Sequence, residues 1–390
     1  MRRFFKWLVR GILAGGVVAL ALAVWKKDEI TRLLAVNSLF AEEKIVGNFS
    51  AMDRLFWTAP LDRGTGPVSP LPQGAQISLP DGADQWLTDR AVTALVVLKD
   101  GLIRYENYFQ GTTPEDRRIS WSVAKSFLSA LFGMVLHEGQ IASMDDPVTK
   151  YAPHLTGSAY DKARIIDVLH MSSGVKFNED YLDYNSDINK MGRVLALGGS
   201  MDDFAAGLSE RAGTPGDTWH YVSIDTHVIG MVIRGATGRT IPDLMAEKLI
   251  RPLGLEASPL MITDGYGTGF VLGGLNLRTR DFARFGQMVA QGGEWQGQRI
   301  LPEGWVERSS RFTAPTAPAE ERYALQWWGE PDARDGEFYA RGIYGQYIYI
   351  NRPAGVVIAM NSADRLFREP GVNRQIIQMF RRITDDLKTE

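Results

Sequence analysis

Strand-forming stretches stand at both ends of the body of this chain, and a long helix-rich stretch separates them. Residues 91–109 hold two β-rich runs around an Asp100-Gly101 turn, a strong hairpin pattern. Short β-type runs return only at 323–328, 337–341, 346–351 and 356–361. Between them the apolar spacing is mostly helical, at 165–171, 188–197, 201–208, 224–233, 241–250 and 281–290. An amphipathic helix closes the chain over 373–387. A buried strand needs partners on both edges, so the two ends are expected to share one antiparallel sheet. This predicts an α+β (α/β) fold: a sheet flanked by helices, a mostly helical second lobe over about 141–308, and a site between the lobes. With 45% hydrophobic and 23% charged residues, the chain can fill such a core.

One helix in this plan carries chemistry. Residues 122–137 are apolar nearly all round and stop at Gly139, which predicts a buried helix. It opens on Ser122-Val-Ala-Lys125. Residues three apart share a helix face, and a helix start offers unpaired N–H groups and a positive dipole end. A serine hydroxyl becomes a nucleophile when a base stands beside it, and a desolvated lysine can be that base. The same spacing occurs at Ser173-Gly-Val-Lys176, but polar residues follow and no helix places that lysine. A helix N-cap is the competing role for Ser122.

Other chemistries are excluded. There is no cysteine, hence no disulfide, thiolate nucleophile or cysteine-bound metal. No serine lies in a Gly-x-Ser-x-Gly elbow. The five histidines have no metal-ligand spacing, and no phosphate-binding loop occurs. No cofactor is expected. His220 and His227 read as structural. The first 27 residues carry six basic residues and no acid, and the remainder has 37 basic against 46 acidic residues, a net of −9. An acidic body without basic runs argues against nucleic acid as a partner.

The N-terminus points to a membrane. Arg2, Arg3, Lys6 and Arg10 precede an uncharged run over 11–25. This reads as an uncleaved transmembrane anchor, or as a signal peptide with Ala21-Leu22-Ala23 as its cleavage site. Either places the body on the periplasmic side. The domain plan is then 1–27 as anchor or signal, 28–84 as a lead-in that is an ordered wrap or a linker, and 85–390 as the body.

Trp121-Ser122-Val-Ala-Lys125-Ser126-Phe127 resembles the nucleophile motif of the penicillin-recognising serine hydrolases. The nearest branch is that of the class C β-lactamase-like proteins, with their esterases and 6-aminohexanoate-dimer (nylon-oligomer) hydrolases. The family carries a Tyr-x-Asn or Tyr-x-Ser motif about a hundred residues later. Tyr221-Val-Ser223 stands there, after the turn-rich 213–220. Tyr184-Asn-Ser186, Tyr105-Glu-Asn107 and Tyr349-Ile-Asn351 also fit the bare pattern. The family's third motif, Lys-Thr-Gly or His-x-Gly, is replaced by Ala340-Arg341-Gly342, which keeps only the glycine. The resemblance spans roughly 91–361 and includes 169–174, 179–187 and 275–286.

The resemblance implies a β-lactamase/transpeptidase-like fold and an acyl-enzyme on Ser122, with Lys125 and Tyr221 sharing the proton work. Ser223 would hydrogen-bond within that network. The backbone N–H groups of Ser122 and Ile343 would form the oxyanion hole. Tyr181, Trp327, Gly342 and Tyr344 are the candidate substrate contacts. Without the family's lysine or histidine, recognition of a substrate carboxylate is weakened, unless Arg341 replaces it. A small ester or linear amide is therefore the expected substrate. A cell-wall D-amino-acid peptidase, a β-lactamase and a non-catalytic binding protein on the same fold are the alternatives.

Overall fold

The computed structural model of the chain describes residues 2–388. Its central sheet has seven antiparallel strands: β1 (Val92–Lys99), β2 (Leu102–Tyr108), β3 (Arg322–Tyr323), β4 (Trp328–Gly329), β5 (Glu337–Gly342), β6 (Gln346–Asn351) and β7 (Val356–Ser362), in the order β2-β1-β7-β6-β5-β4-β3. The two ends of the body therefore do share one sheet, through the β1–β7 pairing that sets Val97 opposite Ile358. The β1–β2 hairpin turns at Asp100 and Gly101, both with positive φ, as a two-residue turn requires.

Side chains alternate across a strand, and here both faces are covered. Val96, Leu98, Ile348 and Val357 face one core. Leu95, Val97, Tyr349 and Ile358 face another. Seven helices matter for the site: α1 (Arg2–Trp25), α2 (Lys27–Asn37), α3 (Ala124–His137), α4 (Asp187–Ala196), α5 (Ser223–Thr237), α6 (Thr279–Ala290) and α7 (Val372–Asp386). α7 covers one sheet face with Ile376, Phe380 and Ile383. α6 lies on the other, and Phe285 stacks on Phe127 of α3 at 3.6 Å. α3 is buried from Ala124 through Val135, as its all-round apolar sequence requires.

The 141–308 stretch is mostly helical, as expected, but it also contributes short strands. A second antiparallel sheet joins Thr58–Pro60, Leu260–Ile262, Leu275–Leu277 and Arg118–Ile119. Strands of two or three residues are too short to show a period of two. Of the two readings of the lead-in, ordered wrap or linker, the structure shows the ordered wrap. Phe49, Met52 and Leu61 lie in the main core, and Gln73 bridges to Ile103. Buried Arg118, four residues before Ser122, donates to Val46 O at 2.8 Å and Ser50 Oγ at 2.7 Å. It ties the lead-in to the nucleophile segment.

One expectation needs correction, the transmembrane anchor. Among the described residues no helix is long and apolar enough to cross one. α1 has 24 residues, but the uncharged run over 11–25 spans only about 22 Å at helical rise, against roughly 30 Å of hydrocarbon. Phe4, Trp7, Leu13 and Val17 of α1 are exposed. The side chains of Arg2, Arg3, Leu22 and Ala23 lie outside the described residues.

A Cβ added at Gly286 of α6 would stand 2.7 Å from methyl groups of both Ile348 and Val357. These β-branched side chains are stiff, so the helix sits as close to the sheet as a glycine allows. Gly286→Val is expected to cost about 1–3 kcal/mol of stability by overpacking. Urea unfolding followed by far-ultraviolet circular dichroism measures this. An unchanged midpoint would mean that this contact does not set the helix–sheet spacing.

Candidate active site

Ser122 lies in a single 3₁₀ turn, Trp121–Val123, directly ahead of α3. Neither the turn nor the helix has a side-chain cap bond, so Ser122 is not the N-cap its position suggested. Its side chain instead lies beside Tyr221, and the two line one cleft. The preceding Trp121 has φ 42°, a conformation a bulky residue adopts only under constraint. Strain of this sort costs of order 1–3 kcal/mol and clusters at functional sites.

Lys125, one helical turn on, is 1% exposed. Its Nζ donates to Leu272 O at 2.8 Å and stands 5.5 Å from the Tyr221 ring centroid. Burial brings its pKa down to about 7, although the Glu179 and Asp225 carboxylates pull the other way. Tyr221 is half-buried. Desolvation and the charge of Glu179 hold its pKa above the ordinary tyrosine value, against the nearby Ser122 and Ser223 side chains. Ser223 opens α5, and its backbone N–H donates to Glu179 Oε1. The Ser223 and Tyr181 side chains also lie close enough to Glu179 to oppose the effect of its burial. Burial pushes the pKa of Glu179 up and that of Asp225 up to about 8. Tyr160 and Ser173 donate to Asp225 Oδ1 at 2.7 and 2.9 Å.

The end of β5 closes the site. A Cβ at Gly342 would lie 2.6 Å from Ser120 O and 3.0 Å from Ser122 N. Only glycine lets the strand reach the nucleophile turn. Ile343 follows, in the three-residue turn before β6.

Two cavities meet at Ser122, and only Ser122, Tyr181 and Ile343 line both. One is a polar cleft of about 340 Å³ that includes Tyr221, Trp219, Trp328, Arg341, Gly342 and Arg368. Its two guanidinium groups are paired. Arg341 binds Glu321 with two contacts at 2.5 and 3.0 Å and lies 3.8 Å over Trp328, and Arg368 reaches Asp180 at 2.9 Å. The other cavity is apolar, about 110 Å³, and lies between the lead-in and α4.

The structure thus brings together Ser122, Lys125, Tyr221, Ser223, Ile343, Tyr181 and Gly342. Two expected substrate contacts fall elsewhere. Trp327 is in the core against Phe285 and Phe338, because alternation along the strand turns Trp328 to the cleft instead. Tyr344 lines neither cavity. Its φ of 60° swings the ring outward to stack on Phe40 at 4.6 Å, with Phe367 at 4.7 Å. The rival motifs are also placed. Lys176 is exposed and paired with Glu210 at 2.6 Å. Tyr184 is exposed under Arg193. Tyr105 and Tyr349 lie on β2 and β6, away from the cleft. His227 pairs with Asp202 at 2.8 Å and His220 contacts Phe177 O at 3.4 Å, both outside the site.

Sequence reasoning missed Glu179, Asp225, Glu321 and Arg368. Asp225 had one signal, a lone acid on an apolar helix face. The others arrive through long-range packing and left none.

A serine hydroxyl on a strained turn, a desolvated lysine one turn on, a bridging tyrosine and a close glycine strand define a serine hydrolase. The chain belongs to the Beta-lactamase family, which it matches over residues 84–378. It is 29% identical, over 73% of its length and 76% of the other's, to a 6-aminohexanoate-dimer hydrolase of Paenarthrobacter ureafaciens. A solved structure from Bacillus anthracis, provisionally named a 6-aminohexanoate-dimer hydrolase, superimposes with a TM-score of 0.81 at 22% identity, covering 90% of this chain and 96% of that one. A family VIII carboxylesterase aligns with a TM-score of 0.58 at 15% identity, over 80% and 99%. At these identities the solved structures speak for the fold alone.

Gly342→Ala places a methyl against the backbone of the nucleophile turn, so the strand must retreat. If this contact frames the oxyanion site, kcat is expected to fall by about 10²–10³, the effect of losing one oxyanion donor. Steady-state kinetics beside a thermal melt separate this from unfolding. Unchanged kcat in the folded variant would remove the strand from the site.

Proposed function

We propose that this enzyme hydrolyses small esters or linear amides through an acyl-enzyme on Ser122. The observation that carries the reading is the cluster of buried Lys125 with the half-buried Tyr221 and Ser122. With its pKa brought to about 7, about half of Lys125 is deprotonated at neutral pH and most of it above that, while Tyr221 keeps its proton. That favours Lys125 as the resting base. Ser122 Oγ attacks the substrate carbonyl and its proton passes to Lys125. The backbone N–H groups of Ser122 and Ile343 hold the oxyanion. Tyr221 then gives its proton to the departing oxygen or nitrogen and takes one from Lys125. Ser223, within the same hydrogen-bond network, orients Tyr221. Water enters, loses a proton to the same base and attacks the acyl carbonyl; the acyl–oxygen bond breaks, Ser122 Oγ takes the proton back from the base, and the acid leaves. The ester or amide preference is supported by the relative from Paenarthrobacter ureafaciens and by the absence of a free cation at Arg341.

The test uses the full chain and a fluorophosphonate probe, with the adduct located by peptide mass spectrometry. The expected adduct is on Ser122. Lys125→Met is expected to slow its formation by at least about 10², within the range of general-base effects. The pH dependence has a definite sign. Below the Lys125 pKa the amine carries a proton and cannot act as base, so kcat/KM should rise with pH and level off above a midpoint near 7. A profile flat from acid to alkaline pH would remove Lys125 as the titrating base. Turnover of a cephalosporin without ester or oligoamide turnover would overturn the substrate class.

Location is also proposed. The basic flank and apolar run of α1 support export across the inner membrane, with the body on the periplasmic side. Protease added to spheroplasts should cut the body, and protection there would reverse the orientation.

A further inference from the structure

We propose that the apolar cavity takes the acyl chain of the substrate and the polar cleft its leaving group, so that the lead-in sets acyl specificity. This rests on the acyl-enzyme reading above. The two cavities touch only at Ser122, Tyr181 and Ile343, so a carbonyl held at Ser122 projects one substituent into each. Tyr221 lines the polar cleft and not the apolar cavity. The group that protonates the leaving atom must stand on the leaving-group side. The leaving group then occupies the polar cleft, and the acyl chain has the other cavity.

The chemistry of that cavity agrees. Leu39, Phe40 and Phe56 of the lead-in face Met191, Ile262 and Phe270 across it. The amide of Asn189 is already spent on Asp183 O at 2.8 Å and Tyr181 O at 3.0 Å. Among the described residues no charged side chain lines this cavity, and the one spare donor on its wall is the unpartnered indole N–H of Trp121, so burying an ionised tail there is unfavourable. The volume, about 110 Å³, is that of roughly three to four waters at about 30 Å³ each, enough for a short aliphatic chain. The wall is fixed in place. Arg32 of α2 donates to Ala196 O, the last residue of α4, at 3.3 Å, and Arg118 clamps the lead-in at Val46 and Ser50.

Gly192 of α4 lines the same cavity, and a Cβ there meets nothing within 4 Å. A helix interior favours a non-glycine residue, so Gly192→Leu fills the cavity without straining the fold. Val36→Phe fills it from the lead-in. The full-chain enzyme and both variants are assayed on 4-nitrophenyl acetate and hexanoate, and on methyl and hexyl butyrate. Each variant is expected to lower the hexanoate-to-acetate ratio of kcat/KM at least tenfold. The hexyl-to-methyl ratio should stay within about twofold. A shift in the alcohol series instead would reverse the assignment. Ratios unmoved in both series would overturn it, and a change in Gly192→Leu but not Val36→Phe would overturn the role of the lead-in. Failure of the underlying reading looks different: wild-type enzyme would form no fluorophosphonate adduct on Ser122.

Discussion

The site depends on keeping one ammonium group dry. An exposed lysine holds its proton far above neutral pH, and only desolvation frees the amine. Lys125 sits on a helix buried from Ala124 to Val135, so the requirement is met by burying the whole helix. That in turn requires cover on every side: α5, α6, the sheet and the segment around Leu272, whose carbonyl takes the lysine N–H. The nearby carboxylates of Glu179 and Asp225 oppose the effect of burial. They are themselves desolvated, with pKa values pushed up, which weakens their pull on the ammonium. Three groups with opposed preferences thus keep the lysine poised near neutrality.

Catalytic geometry further requires that distant parts of the chain meet within a few ångströms. Ser122 follows the β1–β2 hairpin, Gly342 lies at the end of β5, and the short sheet through Arg118–Ile119 brings the lead-in to the same turn. The sheet shared by both chain ends supplies this convergence. Its β1–β7 pairing lets segments more than two hundred residues apart act as one wall. Glycine at 342 is the steric condition for that wall to touch the nucleophile turn.

How much of this was legible follows from range. The hairpin, the buried helix, β6 and the last helix are local patterns, and each appears where its periodicity put it. The small second sheet was not legible, because its strands have two or three residues and are held by partners far along the chain. In the site, Ser122, Lys125, Tyr221 and Gly342 were legible through motifs that a local backbone shape imposes. Trp327 and Trp328 could not be told apart before the register of β4 was known. Glu179 and Arg368 reach the site only through tertiary packing. The lead-in gave no functional signal because Leu39, Phe40 and Phe56 are ordinary apolar residues whose role comes from what they face.

Arg341 shows why a motif position and a chemical role are separate matters. It occupies the place of the missing Lys or His and faces the cleft, so by position it could receive a carboxylate. Its guanidinium is already bidentate on Glu321, the strong geometry for such a pair. The same Glu321 also accepts from Asn373 at 2.6 Å. An anionic substrate would have to displace Glu321 and leave that carboxylate near Glu330, which shares the Asn373 amide. Like charges brought together in a half-buried pocket repel strongly. Seen from Ser122, the paired arginine presents a dipole and little net charge. A neutral ester or amide loses nothing in such a cleft, whereas a carboxylate gains little from it. The Glu321 pair thus leaves Arg341 little free positive charge to offer a substrate carboxylate.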